Sequence, residues 1–426
     1  MGSLPIDEAM QQPPLDPEAL ATESNAVMNF LAEYYRDVDK YPVRAANLEP
    51  GRLRALHPEA APELGEPMEA VLEDVRRDIL PASVAGLAGE MLSAGLNVVP
   101  FLWAASPAAA ELEAVVVDWM AQLFGLPRRL TFPGGGGGVL QGSTCEAVVC
   151  TLAAARDRQL ARLGLGHEAI ARLVVYSSDQ THATFQKGAR LVGIPPSNFR
   201  VIPTSAASGY GLPAAAVQEA VERDVALGLV PLYLCATVGT TGLCAVDPVR
   251  ELGEVARAHG MWMHVDAAFA GSAAVMNPHK WFLTNMDCCC LWVADPRALI
   301  SALSTDPEYL KDDVGIDECT GKPAAAIDYK DWQISMTRRF RAIKLWVVLR
   351  RYGAAGMRAH IRRHVAAAQW FEQAVEADER FEVVVPRRFS LVCFRLAPRF
   401  RSSSSISPQS RAPTLQTAIA CTRMLT

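Results

Sequence analysis

A chain of 426 residues, half of them hydrophobic and 20% charged, has material for roughly two to three domains and a sizeable core. Its net charge of −5 argues against a general nucleic-acid binder. Ten cysteines with no N-terminal apolar signal core point to reduced thiols in the cytoplasm rather than to a secreted disulfide scaffold.

In chain order, the first twenty residues are polar and Pro-rich, and Ile6 stands where N-myristoylation requires Ser or Thr. The stretch SNAVMNFLAEYYRDVDKYP (24–42) places Val27, Phe30, Leu31 and Tyr34 at helical spacing and stops at Tyr41-Pro42. A second amphipathic helix, EPMEAVLEDVRRDILP (66–81), ends at Pro81. Both carry apolar stripes ahead of any domain core, so they need another surface to cover them. The most apolar region, 82–125, is interrupted by Glu90, Pro100, Pro107, Glu111 and Glu113 and should not span a membrane.

From about residue 111 helix and strand alternate. LVVYSS (173–178), VPLYLCATVG (230–239), MWMHVDAAF (261–269) and MDCCCLWVA (286–294) read as strands with helices between most of them. That order predicts an α/β domain with a mainly parallel sheet. Cys288–Cys290 lack metal-site spacing, and neighbours in a strand face opposite ways, so they read as small core residues and no metal site is expected. RRFRAIKLWVVLRR (338–351) opens a helix with a solvated basic face that should run to about 377, followed by strands FEVVVP and FSLVCFRL. The expected organisation is a helical dimerisation segment (1–110), a large α/β domain (111–345), a short C-terminal domain (346–396) and a disordered Ser-rich tail (397–426).

Four features carry chemistry. In FPGGGGGVLQGSTCEAVV (132–149) the glycines alone indicate a mobile loop, and no Gly-Lys-Ser/Thr follows them. Ser143-Thr144-Cys145-Glu146 then forms a capping box, leaving N–H groups and hydroxyls at a helix N-terminus suited to phosphate. His182 after LVVYSSDQT and Asp266 at the end of MWMHVD fall at the carboxyl ends of strands, where α/β sheets keep their ligands. Taken singly, each reads more readily as an N-cap or turn residue; together they are harder to dismiss. Lys280, in NPHKW, follows Pro278 and precedes the apolar FLTNMDCCCLWV, which reads as a buried strand. Desolvation at that junction would lower its pKa and make it a nucleophile; the alternative is a junction lysine with its stem on apolar surface.

A phosphate cradle, an imidazole, a carboxylate and an activated lysine are together what pyridoxal 5′-phosphate requires. The chain resembles the plant aromatic L-amino acid decarboxylases of the group II pyridoxal phosphate enzymes over roughly 20–396. The matching stretches include AVLEDVRRDILP (70–81), GEMLSAGLNVV (89–99), SSDQTHATFQKGAR (177–190), ATVGTTG (236–242), HVDAAFAGSA (264–273), NPHKWFLTN (277–285) and RRFRAIKLW (338–346). The resemblance implies the fold-type-I, aspartate aminotransferase-like architecture and a homodimer. It also implies that Lys280 binds the cofactor covalently, Asp266 pairs with its ring nitrogen and His182 stacks on the ring. Ser143, Thr144, Cys145, Thr241 and Asn277 fall at phosphate- or cofactor-contacting positions, although Cys145 departs from the usual serine. Tyr309 matches the proton-donating tyrosine of a catalytic lid, where aldehyde-forming relatives have Phe. Phe101 and Thr337 fall at substrate-contacting positions, and a hydroxyl at 337 leans toward tyrosine or dopa.

Three departures stand out. Only PASVAGLA (81–88) remains where relatives carry a run of aromatics, and only AVM separates Ala273 from Asn277 where relatives carry a helix and a strand. The C-terminal domain also stops early. Ten residues between Asp266 and Asn277 are too few for a helical crossover, so either the sheet should show a gap or the strand after Lys280 should slide into the vacated place. The expected activity is decarboxylation of an aromatic amino acid. The rivals are a silent homologue that only dimerises with intact relatives and an aromatic aldehyde synthase.

Overall fold

A computed structural model describes residues 17–37, 87–103, 105–270, 275–305 and 327–398. The expected helix at 66–81, Tyr309 with its loop, and almost all of the tail lie outside the described residues. The chain divides between residues 84 and 85 into two units. In the first, helix α1 (Pro17–Arg36) holds Val27 half-buried and Phe30 buried.

The second unit is built on a seven-stranded sheet of β1 (Gly137–Gln141), β2 (Leu173–Ser178), β3 (Phe199–Ile202), β4 (Val230–Thr237), β5 (Trp262–Asp266), β6 (Val275–Met276) and β7 (Cys289–Val293). Their spatial order is β1-β7-β6-β5-β4-β2-β3. Only β7 runs against its neighbours. Six strands therefore present their carboxyl ends at the same edge.

Helices cover both faces because the central strands are apolar on both sides. Val175, Tyr233 and Cys235 pack with α4 (Thr144–Leu163) and α5 (Thr184–Leu191). Val174, Tyr176, Leu234 and Ala236 face the opposite way, onto α6 (Ala214–Ala226) and α7 (Val249–Ala258). At the β1–β7 end the second face meets α3 (Pro107–Leu123) and α10 (Arg341–Ala377), while Cys289 and Leu291 share the α4 face with α9 (Arg297–Leu303). The cysteine run behaves as expected: all three are fully buried, with Cys289 on one face and Cys288 and Cys290 on the other. Gly353, at φ 64° and ψ 168°, breaks α10 into two helices across a kink. A hairpin of β8 (Phe381–Arg388) and β9 (Leu391–Leu396) follows.

Three expectations need correction. The Gly-rich run is not simply a loop, since Gly137 and Gly138 lie in β1. A Cβ on Gly137 would come within 2.6 Å of Phe132 and 2.8 Å of Trp332, and one on Gly138 within 2.9 Å of Trp292. Only a bare backbone fits under those rings. The strand after Lys280 is shorter than FLTNMDCCCLWV suggested, because residues through Cys288 form irregular backbone and Met286 is 73% exposed. Finally, the sheet has neither a gap nor a displaced β7. A two-residue β6 sits between β5 and β7, joined to β5 by the single pair Asp266↔Val275. One parallel pair needs no helical crossover, and Ala267 N–H donates to Val275 O (3.0 Å) to close it.

Candidate functional site

The common direction of β1, β2, β4, β5 and β6 gathers the candidate residues at one edge. Ser143 and Thr144 follow β1, His182 follows β2, Thr241 follows β4, Asp266 ends β5, and Asn277 and Lys280 follow β6. This is where an open α/β sheet receives a ligand.

Ser143 caps α4, its hydroxyl accepting from Glu146 N–H at 3.4 Å. Glu146 reaches back to Gly142 N–H (2.9 Å) rather than to that of Ser143, so the capping box is offset by one residue. The Thr144 hydroxyl donates to Asn277 Oδ1 at 3.1 Å in a buried bond, tying the helix N-terminus to the start of the Lys280 turn. Cys145 is half-buried with a free thiol. Thr241 is exposed on a turn pinned by its neighbour: Thr240 Oγ1 accepts from Ala245 N–H at 2.9 Å.

Asp266 is buried, and one carboxylate oxygen accepts from Ala268 N–H at 3.0 Å. Among the described residues no cation forms an ion pair with it. A cation placed beside it would offset the cost of burying the charge, and a protonated pyridinium nitrogen is one such group. Two residues earlier on the same face, His264 is buried and stacks on Tyr233 at 5.6 Å, with no hydrogen-bond partner for Nε2. Burial pushes its pKa down to about 4, against a smaller upward pull from Asp266. Beside Asp266 in register stands Thr237, whose buried hydroxyl likewise has no partner. Its backbone N–H is held by Asp247 Oδ2 at 2.7 Å. Sequence reading singled out none of these three; the period-two spacing of His264 and Asp266 was the available signal.

Lys280 departs from expectation. Its side chain is exposed, not desolvated. Asn277-Pro278 starts a single helical turn, α8 (Pro278–Trp281), and it buries Pro278 and Trp281. These are three residues apart and so share a face, which turns Lys280 outward. His182 is also exposed, and Nδ1 accepts from Thr184 N–H at 3.2 Å, consistent with the turn role left open by the sequence.

The sequence neighbours of the two substrate-contact candidates are joined by a side chain-to-backbone bond. Arg338, next to exposed Thr337, donates to Pro100 O (3.3 Å), next to half-buried Phe101. Arg338 also donates to Leu140 O and to Glu113 Oε1, each at 2.7 Å, and Glu113 Oε1 accepts from Leu140 N–H at 2.8 Å. This fully buried pair anchors the 337 loop to β1.

The profile of the pyridoxal-dependent decarboxylase conserved domain matches residues 50–276 and 273–397, two stretches that meet at the shortened connection before Lys280. Tyrosine/DOPA decarboxylase 3 of Papaver somniferum is 48% identical over 440 aligned positions, covering 93% of this chain and 81% of that protein. An alignment longer than the 426-residue chain means that the relative carries residues this chain lacks. Phenylacetaldehyde synthase of Petunia hybrida is 48% identical over 418 positions, covering 90% and 81%. Among solved structures, Catharanthus roseus tryptophan decarboxylase in complex with L-tryptophan superposes with a TM-score of 0.84 at 44% identity, covering 92% of this chain and 87% of that one. The donor set fits pyridoxal phosphate: hydroxyls at a twenty-residue helix's N-terminus, a buried carboxylate with no ion-pair partner among the described residues and a lysine on the same sheet edge.

Proposed function

We propose that this chain, which belongs to the pyridoxal-dependent decarboxylase family, removes the α-carboxylate of an aromatic L-amino acid as CO2 and releases the arylalkylamine, with tyrosine or dopa preferred to tryptophan. The carrying observation is the buried carboxylate of Asp266, without a protein cation among the described residues, at the edge that also holds Lys280. Pyridoxal phosphate, when bound, supplies an electron sink for the breaking bond. Asp266 would keep a proton on the ring nitrogen, and Lys280 would hold the aldehyde carbon and exchange it for the substrate amine. Ser143, Thr144 and Cys145, with Thr241 and Asn277, would hold the phosphate end, and His182 would cover the ring. Phe101 and Thr337 would contact the substrate side chain, and homodimerisation would close the site.

Tyr309 would deliver the proton to the α-carbon after CO2 departs, which favours amine over aldehyde. Relatives of both product types are 48% identical to this chain, so overall similarity does not choose between them. Tyr309→Phe should move product from amine toward aldehyde, because carbon–carbon cleavage persists without the proton donor. An unchanged amine yield would overturn the assignment. For the cofactor role, the chain with pyridoxal phosphate should show a visible absorption band that Lys280→Ala abolishes.

The exposed Lys280 and the two-residue β6 favour a second reading, a silent homologue that pairs with intact relatives. Under it the band is missing, and the chain co-purifies with an intact relative.

A further inference from the structure

We infer that Trp281 is the positioning residue that fixes the Lys280 turn relative to the Asp266 strand in this chain, and that the imidazole of His364 on α10 locks Trp281 in place. The inference rests on the cofactor role of Lys280 proposed above. In the sheet, the Asp266 strand and the Lys280 segment share one residue pair, Asp266↔Val275, carried on by Asn277 N–H donating to Ala268 O at 3.3 Å; the pairing stops there and does not itself fix the turn that follows. Trp281 supplies a second tether. Its ring lies flat on Phe269, three residues beyond Asp266, with centroids 5.2 Å apart and planes at 6°. Its Nε1–H donates to His364 Nδ1 at 3.1 Å. Trp281 is almost fully buried and directly follows Lys280, whose own N–H is fixed by Asn277 O at 2.9 Å. One indole thus joins the Asp266 strand exit, the lysine turn and α10.

The acceptor geometry requires Nδ1 of His364 to be unprotonated, with the ring proton on Nε2. The surroundings enforce this. The His360 ring lies tilted against that of His364, centroids 4.1 Å apart, and His360 also reaches the Trp281 backbone. Arg363 is close enough to disfavour an imidazolium, Arg358 and Arg362 line the cavity beside Trp281, and His279 and Lys280 flank the indole on α8. All of these groups are basic. Burial first, and Arg363 second, hold His364 below the ordinary histidine range.

Two variants test the idea on the full chain. His364→Asn retains an acceptor near the Nδ1 position, whereas His364→Phe removes it. At a series of pyridoxal phosphate concentrations, each followed by borohydride reduction, the fraction of Lys280 trapped is read by peptide mass. His364→Phe should lower the apparent cofactor affinity about fivefold, as loss of one net hydrogen bond implies, and His364→Asn should restore it. Trapping by the unaltered chain should also fall off on the acid side as His364 protonates, and this limb should be absent in His364→Asn. Hydrogen exchange without cofactor gives an independent reading: the amides of Lys280 and Phe282 should exchange about fivefold faster in His364→Phe alone. Unchanged exchange in His364→Phe, or failure of His364→Asn to rescue, overturns the inference. Trapping at a lysine other than Lys280 defeats the functional reading instead, and the exchange result still decides the role of His364.

Discussion

The hydroxyl of Thr144 and the amide of Asn277 lie 133 residues apart in sequence, yet their buried bond joins the two ends of the proposed cofactor site. Thr144→Val preserves shape and removes the donor, leaving Asn277 Oδ1 buried and unmet. A stability loss of about 1–3 kcal/mol should follow in urea unfolding, with weaker cofactor retention; a loss below measurement would mean that water replaces the bond. His264 offers a second residue-scale test. Its pKa in the fold, about 4, lies below the ordinary 6.5. The fold therefore prefers the neutral ring, and its contribution is complete above pH 6.5 and lost as pH falls toward 4. The shift corresponds to about 3 kcal/mol over that window. Unfolding midpoints of His264→Phe measured from pH 7 to pH 4 should show a flatter acid limb than the unaltered chain.

Among the elements, α3, β1 and the loop carrying Thr337 meet at the Glu113–Arg338 pair, which is fully buried. Removing one partner strands the other charge without water. Glu113→Gln should cost about 3–5 kcal/mol, far more than the loss of the surface pair Arg297–Asp295, as equilibrium denaturation would show. If the two variants lose similar stability, the buried pair is not the anchor described. The sequence exposes such elements unevenly. β2 spans Leu173–Ser178, as its apolar run LVVYSS predicts, because a strand covered by helices on both faces leaves a continuous hydrophobic signature. β1 leaves none. Its glycines look like a loop until Phe132, Trp332 and Trp292 are seen to occupy the space that side chains would take. β6 is equally hidden, since two residues carry no periodicity and its place comes from pairing with β5 and β7.

At the scale of the molecule, the connection before Lys280 is short, with ten residues between Asp266 and Asn277. Relatives carry residues that this chain lacks, and the helix and strand expected between Ala273 and Asn277 would lengthen this connection. Inserting that segment from a relative should raise the unfolding midpoint and tighten cofactor binding together. If the chain as it stands purifies yellow and fully active on tyrosine, the missing segment is dispensable. Assembly is testable separately: the apolar stripes expected in the N-terminal helices should produce a dimer by light scattering, and a folded monodisperse monomer would count against that role.

The sequence by itself determined the α/β class, the chain order of the chemical groups and the family, because these reside in hydrophobic period and in local motifs such as HVDAAFAGSA and NPHKWFLTN. It also marked the short connection before Lys280 by counting residues. Tertiary structure alone decided how that connection closes, that Lys280 faces outward, and that Trp281 is shared by Phe269 and His364. The physical reason is that a motif fixes which groups are near one another along the chain. The direction of a side chain in a one-turn helix is set by which of its neighbours find a core to enter, here Pro278 and Trp281, and those partners are distant in sequence.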